Sequence, residues 1–96
     1  MKEQKPWMQK TRIATMNKTL MEELVDAGYP AENFYHHRSD LYIFATPLTK
    51  RVVDNWFKKN GYHRHLFVST FHDQVTGRLM YDIAFQYTPF WEGDRD

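Results

Sequence analysis

The sequence predicts a single small α+β domain, with two helices on one face of a mainly antiparallel four-stranded sheet. Three observations carry that expectation. Two segments repeat apolar residues at helical spacing. Each is followed by Gly-Tyr and then by β-type sequence interrupted by a turn signal. Ninety-six residues also suit one core, because a chain of that length buries about two-thirds of its unfolded surface. The expected order is αββαββ. Residues 1–10 read as a flexible N-terminal tail, 11–91 as the folded domain and 92–96 as a flexible acidic C-terminal tail.

The first helix is expected to start near Asn17 or Thr19. Thr19-Leu20-Met21-Glu22 has the form of a capping box, in which the threonine hydroxyl accepts from a first-turn amide and the glutamate reaches back. Leu20, Met21, Leu24 and Val25 then share one face. Gly28 suits the left-handed residue that ends a helix, and Pro30 prevents continuation. Ile13 and Met16 fit the same stripe, so periodicity leaves residues 12–15 open between a short leading strand and an extra helical turn. A first hairpin is read from β-type segments at 33–37 and 41–45 around the turn Arg38-Ser39-Asp40.

The second helix has the clearest signals. Thr46 is a cap residue, Pro47 suits the first helical position, and Leu48, Val52, Val53, Trp56 and Phe57 form the apolar stripe. Lys58 and Lys59 complement the dipole at its end, and Gly61 closes it. A second hairpin follows, with strands at 66–72 and 79–87 joined by Gln74-Val75-Thr76-Gly77. Leu79, Tyr81, Ile83, Phe85 and Tyr87 alternate with Met80, Asp82, Ala84 and Gln86. The two helix–hairpin units hint at an internal duplication, although their residue identity is thin. Stacking both helices on one sheet face would leave the other face open as a binding surface.

Composition excludes several classes. The absence of cysteine rules out a disulfide framework and thiolate metal sites. No stretch approaches the roughly 20 apolar residues of a membrane span. The opening residues, Met1 to Trp7, lack the apolar run of a secretory signal, so a cytoplasmic location is expected. The net charge of +1 is a cancellation. Glu22, Glu23 and Asp26 make the first helix acidic, whereas Lys50, Arg51, Lys58, Lys59, His63, Arg64 and His65 make the second helix and its following loop basic.

Five histidines raise the question of a metal or acid–base site. His63-x-His65 on a strand would point both rings to one face, and His72, Asp73 or Asp82 would offer a third ligand. The alternative metal set is therefore His63, His65 and His72. No helical His-x-x-x-His pair accompanies it, and the simpler reading is half-exposed strand-end and loop histidines, with no cofactor. His36-His37, the aromatic strand Leu41-Tyr42-Ile43 and the Thr46 helix start faintly resemble the His-His segment of pterin carbinolamine dehydratases. The proline and tryptophan that follow His-His in that family are missing here, and a full hairpin continues where that family's chain ends. The resemblance is set aside. Pairing Gln74 with Arg78 would put Thr70 opposite Asp82 and His72 opposite Met80, making His72 and Asp82 diagonal neighbours. That pair has no nucleophile to activate: there is no cysteine and no Gly-x-Ser-x-Gly elbow.

With catalytic constellations missing, sixteen aromatics become the informative number, since they exceed what one small core hides. The leading expectation is a non-enzymatic interaction domain that binds a protein partner or forms a homodimer. Its contacts would be an open sheet face and aromatic termini, with Trp7, Tyr42, Phe44, Phe90 and Trp91 as the binding residues. Size and style suit a bacterial or phage accessory protein, including an inhibitor of host defence nucleases. The alternative is a nucleic-acid-binding domain using Lys50, Arg51, Lys58, Lys59 and Arg64, with nearby aromatics stacking on bases.

Overall fold

Residues 6–37 and 40–85 are described by a computed structural model, with side chains at 15–37 and 40–85. Helix α1 spans Pro6–Asp26 and begins well before the expected start at Asn17 or Thr19. Proline suits a first helical residue, because its missing N–H would have no intrahelical acceptor there. Residues 12–15 are helical, so no leading strand forms, and the expected flexible tail overlaps the helix at residues 6–10. Thr19 lies mid-helix and caps nothing. Its hydroxyl donates to the Met16 carbonyl at 3.1 Å, the backward bond that Ser and Thr make inside helices.

Both helices end in the same way. The Tyr29 amide donates to the Leu24 carbonyl and the Gly28 amide to that of Val25, at 2.9 and 3.0 Å. After helix α2 (Pro47–Lys59), Tyr62 donates to Phe57 and Gly61 to Lys58, at 2.9 and 3.2 Å. These are the paired bonds of a Schellman cap, and Gly28 and Gly61 supply the positive φ, 112° and 78°. Each cap leads into a 3₁₀ turn, Ala31–Asn33 or Arg64–Leu66, then a phenylalanine, then a hairpin. The 3₁₀ turns take up residues expected to open the strands, so β1 is Tyr35–His37 and β3 is Val68–His72.

Strands β2 (Asp40–Phe44) and β4 (Leu79–Ile83) complete an antiparallel sheet of order β1-β2-β4-β3. The two hairpins therefore lie side by side with β2 and β4 in the centre. Among the described residues this is the predicted α+β architecture, two helices and a four-stranded antiparallel sheet.

The junction between β2 and α2 is closed by two threonines. Thr46 and Thr49 form a reciprocal capping box, and the fully buried Thr49 hydroxyl also donates to the Phe44 carbonyl at 2.6 Å. One side chain thus ties the start of α2 to the end of β2. The core joins Leu20 and Leu24 of α1, Val53, Trp56 and Phe57 of α2, and Leu41, Ile43, Tyr81 and Ile83 of the central strands. Phe85 follows β4 and stacks on Phe57 with centroids 5.5 Å apart, while Trp56 and Phe67 close in at 5.3 and 5.9 Å. Much of the aromatic excess is spent here.

The β3–β4 register differs from expectation by one residue. Thr70 faces Tyr81 and His72 faces Leu79, because the loop runs from Asp73, whose amide donates to the Arg78 carbonyl at 2.9 Å. The Asp73 carboxylate accepts from the Thr76 amide and hydroxyl, both at 2.8 Å, and those bonds hold its pKa below the ordinary value. This four-residue loop moves His72 to the face opposite Asp82, so the expected His–Asp neighbours are separated.

Candidate functional site: the outer sheet face

Strand alternation sends Leu41, Ile43, Tyr81 and Ile83 to the helices and leaves the intervening residues on the outer face. Three cross-strand rows form there. Phe44, Met80 and Phe71 are aligned in one, and Tyr35, Tyr42, Asp82 and Ser69 in the next. His37 and Asp40 pair in the third. The rings form a connected patch: Tyr42 meets Phe71 edge-on at 4.9 Å, Tyr35 lies 6.2 Å from Phe44, and His37 stacks on Tyr42 at 6.1 Å. Met80, flanked by Phe44 and Phe71, is nearly inaccessible, whereas Tyr35 is 45% exposed. The Arg78 guanidinium lies over the Phe44 ring at 3.7 Å, a cation–π contact at the edge of the patch.

An acidic pair sits at the border of this aromatic surface. Asp40 and Asp82 are diagonal neighbours on β2 and β4, because Asp82 is directly opposite Tyr42. Partial burial, then the hydrogen bond and the negative charge offered by Asp40, push the Asp82 pKa up to about 6. Burial and the same two carboxylates also raise the pKa of Tyr42. One oxygen of each carboxyl, Oδ1, is shielded from water and, apart from the contact between the two carboxyls, has no hydrogen-bond partner among the described residues. A depression of about 270 Å³ beside the pair is lined by Asp40, Asp82, Ser69, Val68 and His65, among others.

Of the binding residues expected from sequence, Tyr42 and Phe44 share this face. The Trp7 side chain, Phe90 and Trp91 lie outside the described residues. The sequence reading missed Phe71, Met80 and the Asp40–Asp82 pair. The available signal was the alternation of Met80 and Asp82 against the apolar face of β4, combined with the correct length for the Asp73–Arg78 loop.

The alternative sites are less well assembled. His63 and His65 flank Arg64 at a 3₁₀ turn, not on a strand; their rings are 5.9 Å apart, and His72 is at the far end of β3. Among the described residues, no three His, Asp or Glu side chains converge as metal ligands, so the proposed trio is not brought together. Three of the five candidate nucleic-acid cations are engaged by carboxylates. Lys50 and Arg64 both hold Asp54, at 2.9 and 2.8 Å, and Lys59 reaches across to Glu23 on α1. These cations belong to the helical layer, not to the open sheet face. No described helix is long and apolar enough to cross a membrane. No family model matches the chain, and no curated protein or solved structure shows significant similarity to it.

Proposed function

We propose that this domain is a non-enzymatic protein-binding module whose partner covers the outer sheet face. The observation that carries the reading is the contiguous surface of Tyr35, Tyr42, Phe44 and Phe71, with Met80 buried between the last two, on the side of the sheet away from both helices. Aromatic residues and methionine are enriched at the centres of protein interfaces, where tyrosine and tryptophan supply much of the binding energy. The helices already bury one face; on this second face Met80 is buried and Phe44 packs against the core, whereas Tyr35, Tyr42 and Phe71 keep exposed ring surface. A different polypeptide suits the surface better than a second copy of the chain. A second copy whose two-fold axis passed through the acidic pair would bring two such pairs together, and like charges across an interface are costly.

Nucleic acid is the less supported partner. Asp40 and Asp82 repel phosphate on the sheet face, and Lys50, Lys59 and Arg64 are already paired on the helical side. The cysteine-free composition suits a reducing compartment such as the cytoplasm, where a bacterial or phage accessory protein would act.

The test is quantitative co-purification from the source cells, followed by size exclusion. It compares the native chain with Tyr35→Ser/Phe71→Ser and with the helix-side control Arg51→Ser/Lys58→Ser. The native chain and the control are expected to retain a stoichiometric partner that the sheet-face variant loses, with both variants still melting cooperatively. Retention by the sheet-face variant together with loss in the control would overturn the reading.

A further inference from the structure

We infer that the partner inserts an arginine side chain into the outer face, where its guanidinium is held by Asp40 and Asp82 at the border of the aromatic patch. The inference rests on the protein-binding reading above and specifies the chemistry of that partner. Among the described residues, the Asp40–Asp82 pair is the one cluster of formal negative charge on this apolar face, which calls for a cationic complement. An entirely apolar partner would bury that pair without compensation. A carboxylate left buried and unpaired at an interface is strongly unfavourable, so such a partner would bind weakly.

The Oδ1 atoms of Asp40 and Asp82 are shielded from water, and among the described residues the only donor offered to the pair is a proton shared between the two carboxyls. A guanidinium carries five N–H donors in a planar fork and can reach two carboxyl groups at once, whereas an ammonium is a single point charge. The depression of about 270 Å³ beside the pair gives such a group a place to enter.

Tyr42 and Phe71 present ring surface beside the acidic pair, and guanidinium groups stack on aromatic faces. The chain itself provides an example on the same face, with Arg78 lying over Phe44 at 3.7 Å. Once a partner covers the face, these rings would help to exclude water from the charge pair, as the contacts around interface hot spots do.

The experiment is selection of a displayed random 12-residue peptide library on the full chain at pH 7.5. It is repeated on Asp40→Asn/Asp82→Asn, a near-isosteric variant whose fold is checked by thermal melting. Enriched peptides are then synthesised, and their contact site is mapped by amide chemical-shift changes. The expected result is enrichment of arginine next to apolar residues, shifts centred on 40–44, 69–71 and 80–82, and at least tenfold weaker binding to the double Asn variant. Changing the peptide arginine to lysine should weaken binding several-fold. Peptides that map to the same face but lack arginine, or that bind the Asn variant equally well, would overturn the arginine inference and leave the sheet-face reading intact. Peptides that map elsewhere, or no enrichment at all, would count against both.

Discussion

Replacing Asp82 with asparagine should make the protein more stable at neutral pH, although a polar contact is lost. The native carboxyl has its pKa raised from 3.8 to about 6, first by partial burial and then by the Asp40 carboxyl beside it. The folded state therefore binds this proton more tightly than the unfolded state does. The stabilisation from protonated Asp82 is complete below the unfolded value near 3.8 and is lost as pH rises through about 6. A shift of that size corresponds to about 3 kcal/mol at 1.36 kcal/mol per unit. Asp82 is only half-buried, however, and solvent screening reduces the effect to about 1 kcal/mol. Asparagine keeps the shape and removes the charge. Urea unfolding of native protein and D82N at pH 4.0 and pH 7.5 gives four free energies. The difference between the two proteins should move in favour of D82N by about 1 kcal/mol from the lower to the higher pH. A difference that does not change with pH, or one that moves in favour of the native protein, would refute the carboxyl-pair argument.

Other perturbations follow from the same structure. Thr49→Val removes a fully buried hydroxyl that accepts from the Thr46 amide at 2.8 Å and donates to the Phe44 carbonyl at 2.6 Å. Two backbone groups lose their partner, so denaturant unfolding should show a loss of about 1–3 kcal/mol. Phe85→Ala empties a site walled by Phe57, Trp56 and Phe67 and should cost about 3–5 kcal/mol, enough to broaden or abolish the thermal transition. Gly28→Ala forces a Cβ onto a residue at φ 112° and should lower stability by about 1–2 kcal/mol in urea, although the nearest side-chain atom, on Leu48, is at an ordinary 3.8 Å.

Elements whose signals are local were legible in the sequence. Helix α2 was readable because Thr46, Pro47, an i/i+4 stripe and Gly61 all agree. Its Schellman cap and that of α1 are read from glycine alone, since few other residues accept that φ. The start of α1 was misread because Thr19-x-x-Glu22 imitates a capping box. Nothing in that tetrapeptide reveals that the preceding residues are also helical, and the threonine hydroxyl can bond backward to Met16 instead. The acidic pair was hidden for a different reason. Asp40 reads as a turn residue, and its meeting with Asp82 depends on β2 pairing with β4, a contact between separate hairpins. Register set by a loop of uncertain length is the weakest inference from sequence. A single residue moved His72 away from Asp82 and set Phe71 beside Met80.

The account rests on the outer sheet face being the contact surface, and site-specific photocrosslinking addresses that claim most directly. A benzophenone amino acid is placed at Phe71, within the aromatic patch, or at Asn55, exposed on α2, and each protein is irradiated in its source cells. The account predicts a discrete covalent adduct with another polypeptide from position 71 and none from position 55. An adduct from position 55 alone, or from neither position, would contradict it.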